Sequence, residues 1–402
     1  MSVSATTNGI RPGVCLSTAK PSTPFVGQVI YMSDTNETAV WQGSYWEGLD
    51  RTRDRNVVIN GAMQVAQRGT STASITANGY FTGDRWKITL TSLGTWTQSI
   101  ENDAPTGSGF RKSLKMLCTT ADASPAVGDE VALGQVLEGQ NLQQFLKGTS
   151  SAKQFTLSFW VKANVTGTYV VWLYDGDNNR QSSLSYTISA SATWEKKTLI
   201  FAADTTGAFD NDNAASLYVR FYLGAGSDFT SGSLATTWAS VSNANRAPGQ
   251  TNLAAATNNF WQVTGVQLEA GSVATPFEFE DYGTTLAKCQ RYYFRVTADN
   301  TYGWLADGKA YNTGVVSVNI KHPVTMRAVT TAIDTASAAS FGLETGSTFI
   351  TSLTSLTIVP NLPTTQVTQI DVNKSGAFST GAYYILIANN STTAFIGVSA
   401  EL

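Results

Sequence analysis

The 402-residue sequence predicts an all-β protein: an N-terminal β-meander, a central jelly-roll β-sandwich and a C-terminal β-sandwich. Three observations predict it. Short β-branched and aromatic runs alternate with Gly, Asn, Asp, Ser and Pro along the whole chain, and no long stretch has helical period. The length exceeds what one hydrophobic core usually serves, so roughly two or three domains are expected. Only 14% of residues are charged while 42% are hydrophobic and 11% aromatic, so hydroxyls and amides rather than ions must solvate the surface. That is the habit of rigid, extracellular-type β-proteins.

Residues 1–50 read as a unit of their own. Pro21, Pro24 and Gly27 punctuate a lead-in, and Gln28-Val29-Ile30-Tyr31, the polar turn Ser33 to Thr38, Ala39-Val40-Trp41-Gln42 and Tyr45-Trp46-Glu47 then make a small meander. Such a unit buries too little to stand alone, so it should lean on copies of itself or on a partner. The cluster Arg51-Thr52-Arg53-Asp54-Arg55 reads as a linker. From 51 to 283, runs such as 154–163, 168–174, 195–201, 217–223 and 259–268 alternate in the antiparallel manner with turns between them, the pattern of a sandwich. Within it, 136–146 is expected to hold a short helical turn with Leu142 and Leu146 packed in the core, and Trp160, Trp172 and Trp261 read as core. From 284 to 402 the texture changes to alternating small and apolar residues, a second all-β unit whose strands run to the last residue, so its end should be tied down. Neither heptads nor internal repeats occur, so no coiled-coil shaft or β-helix is expected.

The stretch Phe260-Trp261-Gln262-Val263-Thr264-Gly265-Val266-Gln267-Leu268-Glu269-Ala270-Gly271, followed by Thr275-Pro276-Phe277-Glu278-Phe279, Asp281-Tyr282-Gly283 and Leu286 to Tyr293, is a buried strand, a tight turn, an edge strand and a helical turn in succession. It resembles the junction in bacteriophage tail-fibre and other virion-surface proteins where a carbohydrate-module-like jelly roll hands over to a C-terminal β-domain. Gly27 to Tyr31 with Trp41-Gln42-Gly43-Ser44-Tyr45-Trp46 resembles a short unit near the N-termini of such proteins. Gly83-Asp84-Arg85-Trp86 resembles the opening of their jelly roll, and Cys289 to Tyr293, Pro323 to Ala328 and Ser399-Ala400-Glu401-Leu402 resemble the domain that follows it. The resemblance implies a homotrimer attached through its N-terminal unit to other tail or baseplate proteins of a virion, with the distal domain contacting a host envelope glycan.

Composition and motifs exclude several other classes. A formal net charge of -3 gives no long-range field for a polyanion, so nucleic acid is not an expected partner. The longest apolar runs, such as Tyr383 to Ala388, fall far short of the ~20 residues of a membrane span, so a soluble chain without membrane insertion is expected. Met1 to Thr7 shows no basic segment leading into an apolar one, which fits cargo released by lysis. Cys15, Cys118 and Cys289 are far apart and odd in number, so reduced thiols are expected.

The sole histidine, His322, lacks a nucleophile elbow anywhere in the chain and reads as a solvated turn. Glu278 and Glu280 are expected on one side of an edge strand facing solvent, with Asp281 pointing away, rather than as an acid–base pair. Asp175-Gly176-Asp177-Asn178-Asn179 begins like a calcium loop, but Arg180 and Tyr186 stand where Gly and a bidentate Glu are needed, so a hairpin turn is expected. No cofactor is expected, and a structural Ca2+ is kept only as the habit of jelly-roll carbohydrate modules.

No enzyme is expected, which leaves binding. Sugars are held by aromatic faces against their C–H surfaces and by amides and carboxylates on their hydroxyls. The candidate residues are Tyr302, Trp304, Asp307, Tyr311 and Asn312, in a stretch expected to form a hairpin. A plainer reading, in which Trp304 and Tyr311 are cross-strand core partners, takes precedence over it. The expected protein is a trimeric tail fibre; the alternatives are a capsid fibre or decoration protein and a carbohydrate-active enzyme carrying a binding module.

Overall fold

The alternation resolves into five sheets in the computed structural model, which describes residues 12–33, 37–49, 54–330, 332–346, 348–359 and 362–402. Residues 34–36 of the expected polar turn Ser33 to Thr38, and residues 51–53 of the charged linker, lie outside the described residues, and Glu37 and Thr38 already belong to a strand. In the N-terminal sheet, β2 (Val29–Met32), β3 (Glu37–Trp41) and β4 (Trp46–Gly48) form the expected antiparallel meander, and β1 (Gly13–Cys15) adds to β2 in parallel. Among the described residues its core is Ile30, Met32 and Ala39 with Cys15 and Trp46 against them, while Val14, Leu16, Phe25 and Val26 stay exposed.

The central sandwich contains β5 (Ser71–Ile75), β6 (Gly79–Tyr80), β7 (Lys87–Thr91), β8 (Thr95–Glu101), β9 (Ser113–Thr120) and β10 (Glu130–Glu138). It continues with β11 (Phe155–Ala163), β12 (Gly167–Asp175), β13 (Arg180–Ile188), β14 (Glu195–Phe201), β15 (Ala215–Ala225), β16 (Ala239–Ser240) and β17 (Phe260–Ala270). One sheet runs β16-β13-β12-β15-β10-β7-β6 and faces the other, β14-β11-β17-β9-β8-β5. Inward residues interdigitate: Tyr169, Val171 and Leu173 of β12, Leu217, Val219, Phe221 and Leu223 of β15, and Phe155, Leu157, Phe159 and Val161 of β11 share one core with Trp86, Trp96 and Trp261. Burial of each such large side chain contributes about 2–3 kcal/mol. β17 slips register against β11 at Gly265, whose φ of +62° and approach to Phe110 leave no room for a side chain.

Sequence expectations are corrected at several points. The helical turn at 136–146 is two single 3-10 turns, Gly139–Asn141 and Gln143–Phe145; Leu142 is buried, but Leu146 has φ +50° and points outward, because Phe145 takes the core position by stacking on Phe155 at 4.1 Å. Trp160 is only half-buried, on the outer side of β11, whereas Trp172 and Trp261 are buried. The turn joining β12 to β13 is the expected hairpin at 176–179. Residues 273–280 form no edge strand: the backbone amides of Arg55 and Asn56 donate to the Glu278 carboxylate at 2.8 and 3.0 Å, Lys288 pairs with Glu280, and Asp281 caps a helix, so these carboxylates are engaged in folding contacts.

The C-terminal unit holds β18 (Tyr293–Thr297), β19 (Trp304–Asn312), β20 (Val315–Lys321), β21 (Ala332–Thr335) and β22 (Phe341–Glu344). Then come β23 (Phe349–Ile350), β24 (Ser355–Ile358), β25 (Val367–Asn373), β26 (Tyr383–Ala388) and β27 (Phe395–Ser399). The sheets are β18-β27-β21 and β23-β22-β26-β19-β20-β25-β24, packed around Leu305, Val316, Val318, Phe341, Leu343, Ile370, Leu386 and Ile396. His322 is not solvated on both edges: Nδ1 lies 3.0 Å from the Thr365 carbonyl and Nε2 2.9 Å from Thr368 Oγ1, and burial pushes its pKa down.

The sequence from Tyr282 to Tyr293 and the last residues lock this unit onto the sandwich. Arg291 donates to Glu138 at 2.9 and 2.8 Å, and the fully buried Arg85 lies 3.5 Å over the Tyr292 ring. Glu401 pairs with both Arg85 and Arg68, and Tyr80 and Lys87 donate to the Leu402 carbonyl at 2.7 and 3.1 Å. Burial works against the Arg85 charge, and Glu401 with Tyr80 and Tyr292 more than offsets it, so its pKa is raised.

Candidate functional site

Residues 302–312 do not form a hairpin. Trp304–Asn312 is one continuous strand, and Gly308 sits inside it because a Cβ there would come within 1.9 Å of the Ser317 carbonyl oxygen on β20. The turn comes later, where Asn312 accepts a 2.7 Å bond from the Gly314 amide through its side-chain oxygen. Trp304 and Tyr311 therefore lie on the same strand and are not core partners: Trp304 is 72% exposed and Tyr311 78%.

A β-bulge puts them on one face. Leu305, Gly308 and Ala310 face the core, and register shifts between Trp304 and Ala306 against β26, so Ala306 also leans inward. Without that extra residue Trp304 would share the inward side with Gly308 and Ala310. With it, Trp304, Asp307, Lys309 and Tyr311 all face outward over about 20 Å of strand. On the neighbouring strands Phe341, Leu343, Leu386 and Ala388 face the core, which leaves Gly342, Ile387, Ile385 and Tyr383 on the outer face.

Around Trp304 the outer face is aromatic. Phe349 lies over Gly342, where a Cβ would meet its ring at 2.3 Å, and Tyr302 meets Phe349 edge-on with centroids 6.0 Å apart. Tyr302 is 52% exposed; Tyr383, 59% exposed, lies further along the strip, cross-strand from Lys309. The Tyr383 hydroxyl donates to Asp307, and that carboxylate raises the phenol pKa. Toward the other edge the face turns polar: Ser317 donates to Asp371 at 2.6 Å and the Gln369 amide to Asn319 at 3.2 Å. The geometry is an open strip with Trp304, Tyr302 and Phe349 at one end, Tyr383 and Tyr311 toward the other, and hydrogen-bonding amides, hydroxyls and carboxylates along it.

Of the residues singled out in the sequence, Trp304, Asp307 and Tyr311 share the strip, Tyr302 borders it and Asn312 caps the turn at its end. Tyr383, Phe349, Lys309 and Asn319 were missed. Tyr383 was legible, since Tyr383-Tyr384-Ile385 alternates and Tyr384 is the inward ring, its hydroxyl accepting from the Ser379 amide at 2.9 Å. Phe349 was not, because its two-residue strand matters only through the fold.

Two other surfaces are less open. The outer face of the larger sandwich sheet bears Trp172 stacked on Tyr174 at 5.1 Å, but Arg246 lies 4.6 Å over the Trp172 ring and the segment containing α1 (Ser227–Thr230), Leu234 and Val241 covers it. A cleft of about 550 Å³ opens where the two units meet, yet its cations are already paired with rings: Arg68 sits 3.5 Å over Tyr293 and Arg295 3.3 Å over Phe395. Among the described residues, no group of three or more His, Cys, Asp or Glu side chains could hold a metal ion, and no helix is long and apolar enough to cross a membrane.

No known family's sequence pattern matches the chain, and no curated protein matches it. Among solved structures, the enzymatically active domain of tailspike protein 4 of bacteriophage CBA120 is similar at 17% identity over 54% of this chain, with a TM-score of 0.29. This chain spans only 21% of that domain. The module TmCBM61, solved with β-1,4-galactotriose, is similar at 7% identity over 54% of this chain and 99% of the module, with a TM-score of 0.28. A family 11 carbohydrate-binding module from Clostridium thermocellum, solved with a β-1,3-1,4-mixed-linked tetrasaccharide, is similar at 12% identity over 51% of this chain and 98% of the module, with a TM-score of 0.27. At scores of this size no ligand is transferred from these neighbours; the all-β architecture rests on the strands themselves.

Proposed function

We propose that the chain is a non-enzymatic, glycan-binding fibre protein of a bacteriophage virion, which lays a host envelope glycan along the outer face of its distal sheet. The observation that carries the reading is the exposed strip of Trp304, Tyr302, Tyr383 and Tyr311 beside Asp307, Lys309 and Asn319. An indole left in water offers its face to the C–H surface of a pyranose, and neighbouring polar groups fix the hydroxyls. A strip of about 20 Å suits a short oligosaccharide better than a single sugar.

The fibre part of the reading is supported by the sequence resemblance at the seam and by the N-terminal sheet. Its exposed Val14, Leu16, Phe25 and Val26 suit attachment to another virion protein. Engagement of Glu278, Glu280 and Asp281 in folding contacts supports a binding rather than a hydrolytic role. In a homotrimer, three modest sites per fibre raise avidity by roughly 10²–10⁴-fold without a tight single contact. Binding of the purified chain to a panel of bacterial envelope polysaccharides tests the glycan claim, with Trp304→Ala and Tyr311→Ala as controls. Gold labelling of intact virions with antibody to residues 284–402 tests the location: gold at the tail is expected, and gold over the head replaces the tail fibre by a capsid fibre.

A further inference from the structure

One buried cluster has a chemistry that neither the glycan strip nor the seam uses. Lys147 follows the second 3-10 turn and turns its side chain into the sandwich, where it is fully buried. Its Nζ lies 2.5 Å from Oδ2 of Asp175, at the end of β12, and 3.1 Å from Oδ2 of Asp204, just after β14. The rings of Phe209 and Trp238, each 5.3 Å from Nζ, wall off water. Asp175 Oδ1 accepts the backbone N–H of Asp177 at 3.0 Å and of Asn178 at 3.1 Å, and the Asn178 amide donates to Oδ2 at 3.0 Å. Arg180 grips Asp204 through Nε at 2.7 Å and a terminal nitrogen at 2.9 Å. Burial works to raise the Asp204 pKa, but Arg180, the Thr206 amide and Lys147 hold it below the usual carboxylate range, so it stands ionised beside Nζ.

We propose that Lys147 and Asp175 join spontaneously in an intramolecular isopeptide bond, with Asp204 carrying the proton. A first proton passes from Nζ to Oδ2 along their hydrogen bond. The lone pair of the neutral amine then forms the Nζ–Cγ bond, and the oxyanion at Oδ1 is held by the two backbone N–H groups already aimed at it. Asp204 takes a second proton from Nζ and returns it to Oδ2; the Cγ–Oδ2 bond breaks with its electron pair on oxygen, and water leaves. The third Nζ hydrogen remains as the amide N–H, beside the Gly207 and Thr206 carbonyls at 2.6 and 3.0 Å. One positive and one negative charge cancel, and nothing is oxidised or reduced.

The bond ties the β12–β13 hairpin to the segment before β11 across a separation of 28 residues. It constrains the unfolded chain as a disulfide does, in a protein whose three cysteines are free thiols. The intact mass of the full chain decides the matter. The expected result is a deficit of about 18 Da, one water, with a digest containing one branched peptide that joins the Lys147 and Asp175 segments. The full sequence mass overturns the proposal. A deficit without the branched peptide, persisting in Lys147→Arg, also overturns it, because an imide at Asp175-Gly176 loses the same water. Asp204→Asn is expected to fold and to show the full mass; a crosslinked Asp204→Asn chain removes Asp204 from the proton-carrying role.

Discussion

Trp304 makes no part of the distal core, so its removal separates binding from folding. Trp304→Ala is expected to weaken glycan binding about tenfold or more while changing stability by less than about 0.5 kcal/mol; titration calorimetry and thermal melting on the same sample check both. Asp84 behaves in the opposite way, as a folding residue with a pH signature. Burial pushes its pKa up to about 6, against the bonds from Gln67 that favour the ionised form. A folded-state value above the ordinary one means that its contribution is fully present below about pH 4 and is lost as pH rises through about 6. Chemical denaturation at a series of pH values should show about 3 kcal/mol of this dependence in the native chain. The Asp84→Asn variant should be flatter by that amount through the same window, whatever its stability at any single pH.

At the scale of elements, the strip depends on the bulge in β19 and on Gly308. Gly308→Val is expected to force β19 and β20 apart and destabilise the distal unit by more than about 2 kcal/mol, leaving the sandwich folded. Near-UV circular dichroism and limited proteolysis would report the selective loss. The same region shows what sequence alone could and could not reveal. Strand existence was legible because apolar alternation survives in nearly every run, and so was the buried strand at 260–270. The candidate residues were legible as chemistry, three aromatics among amides and carboxylates. Their placement was not, since Gly303 and Gly308 look like turn signals, and only the neighbouring strand shows that Gly308 is required by close backbone approach. A one-residue bulge is equally silent in sequence, yet it decides whether Trp304 meets solvent or core. Residues 273–280 failed for a related reason: alternation of Phe and Glu mimics an edge strand, while Phe277 and Phe279 in fact cluster with Phe110 at 4.8 and 5.0 Å and Glu278 reaches back across the chain to Arg55 and Asn56.

For the whole molecule, the C-terminal Glu401 and Leu402 make the sandwich and the distal unit one body. Arg85 is fully buried, so removing its partner leaves an uncompensated charge, at a cost of about 3–5 kcal/mol. Glu401→Ala is therefore expected to split a single denaturation transition into two, with the distal unit melting first; a single unchanged transition would mean that the seam is held by other contacts. Side-by-side calorimetric titration of the native chain and Trp304→Ala with oligosaccharides from bacterial envelope polysaccharides tests the central claim most directly. Saturable binding by the native chain, weakened about tenfold or more in a variant of unchanged melting temperature, is the predicted result. Equal affinity of the two proteins, or no binding by the native chain across the panel, would contradict it.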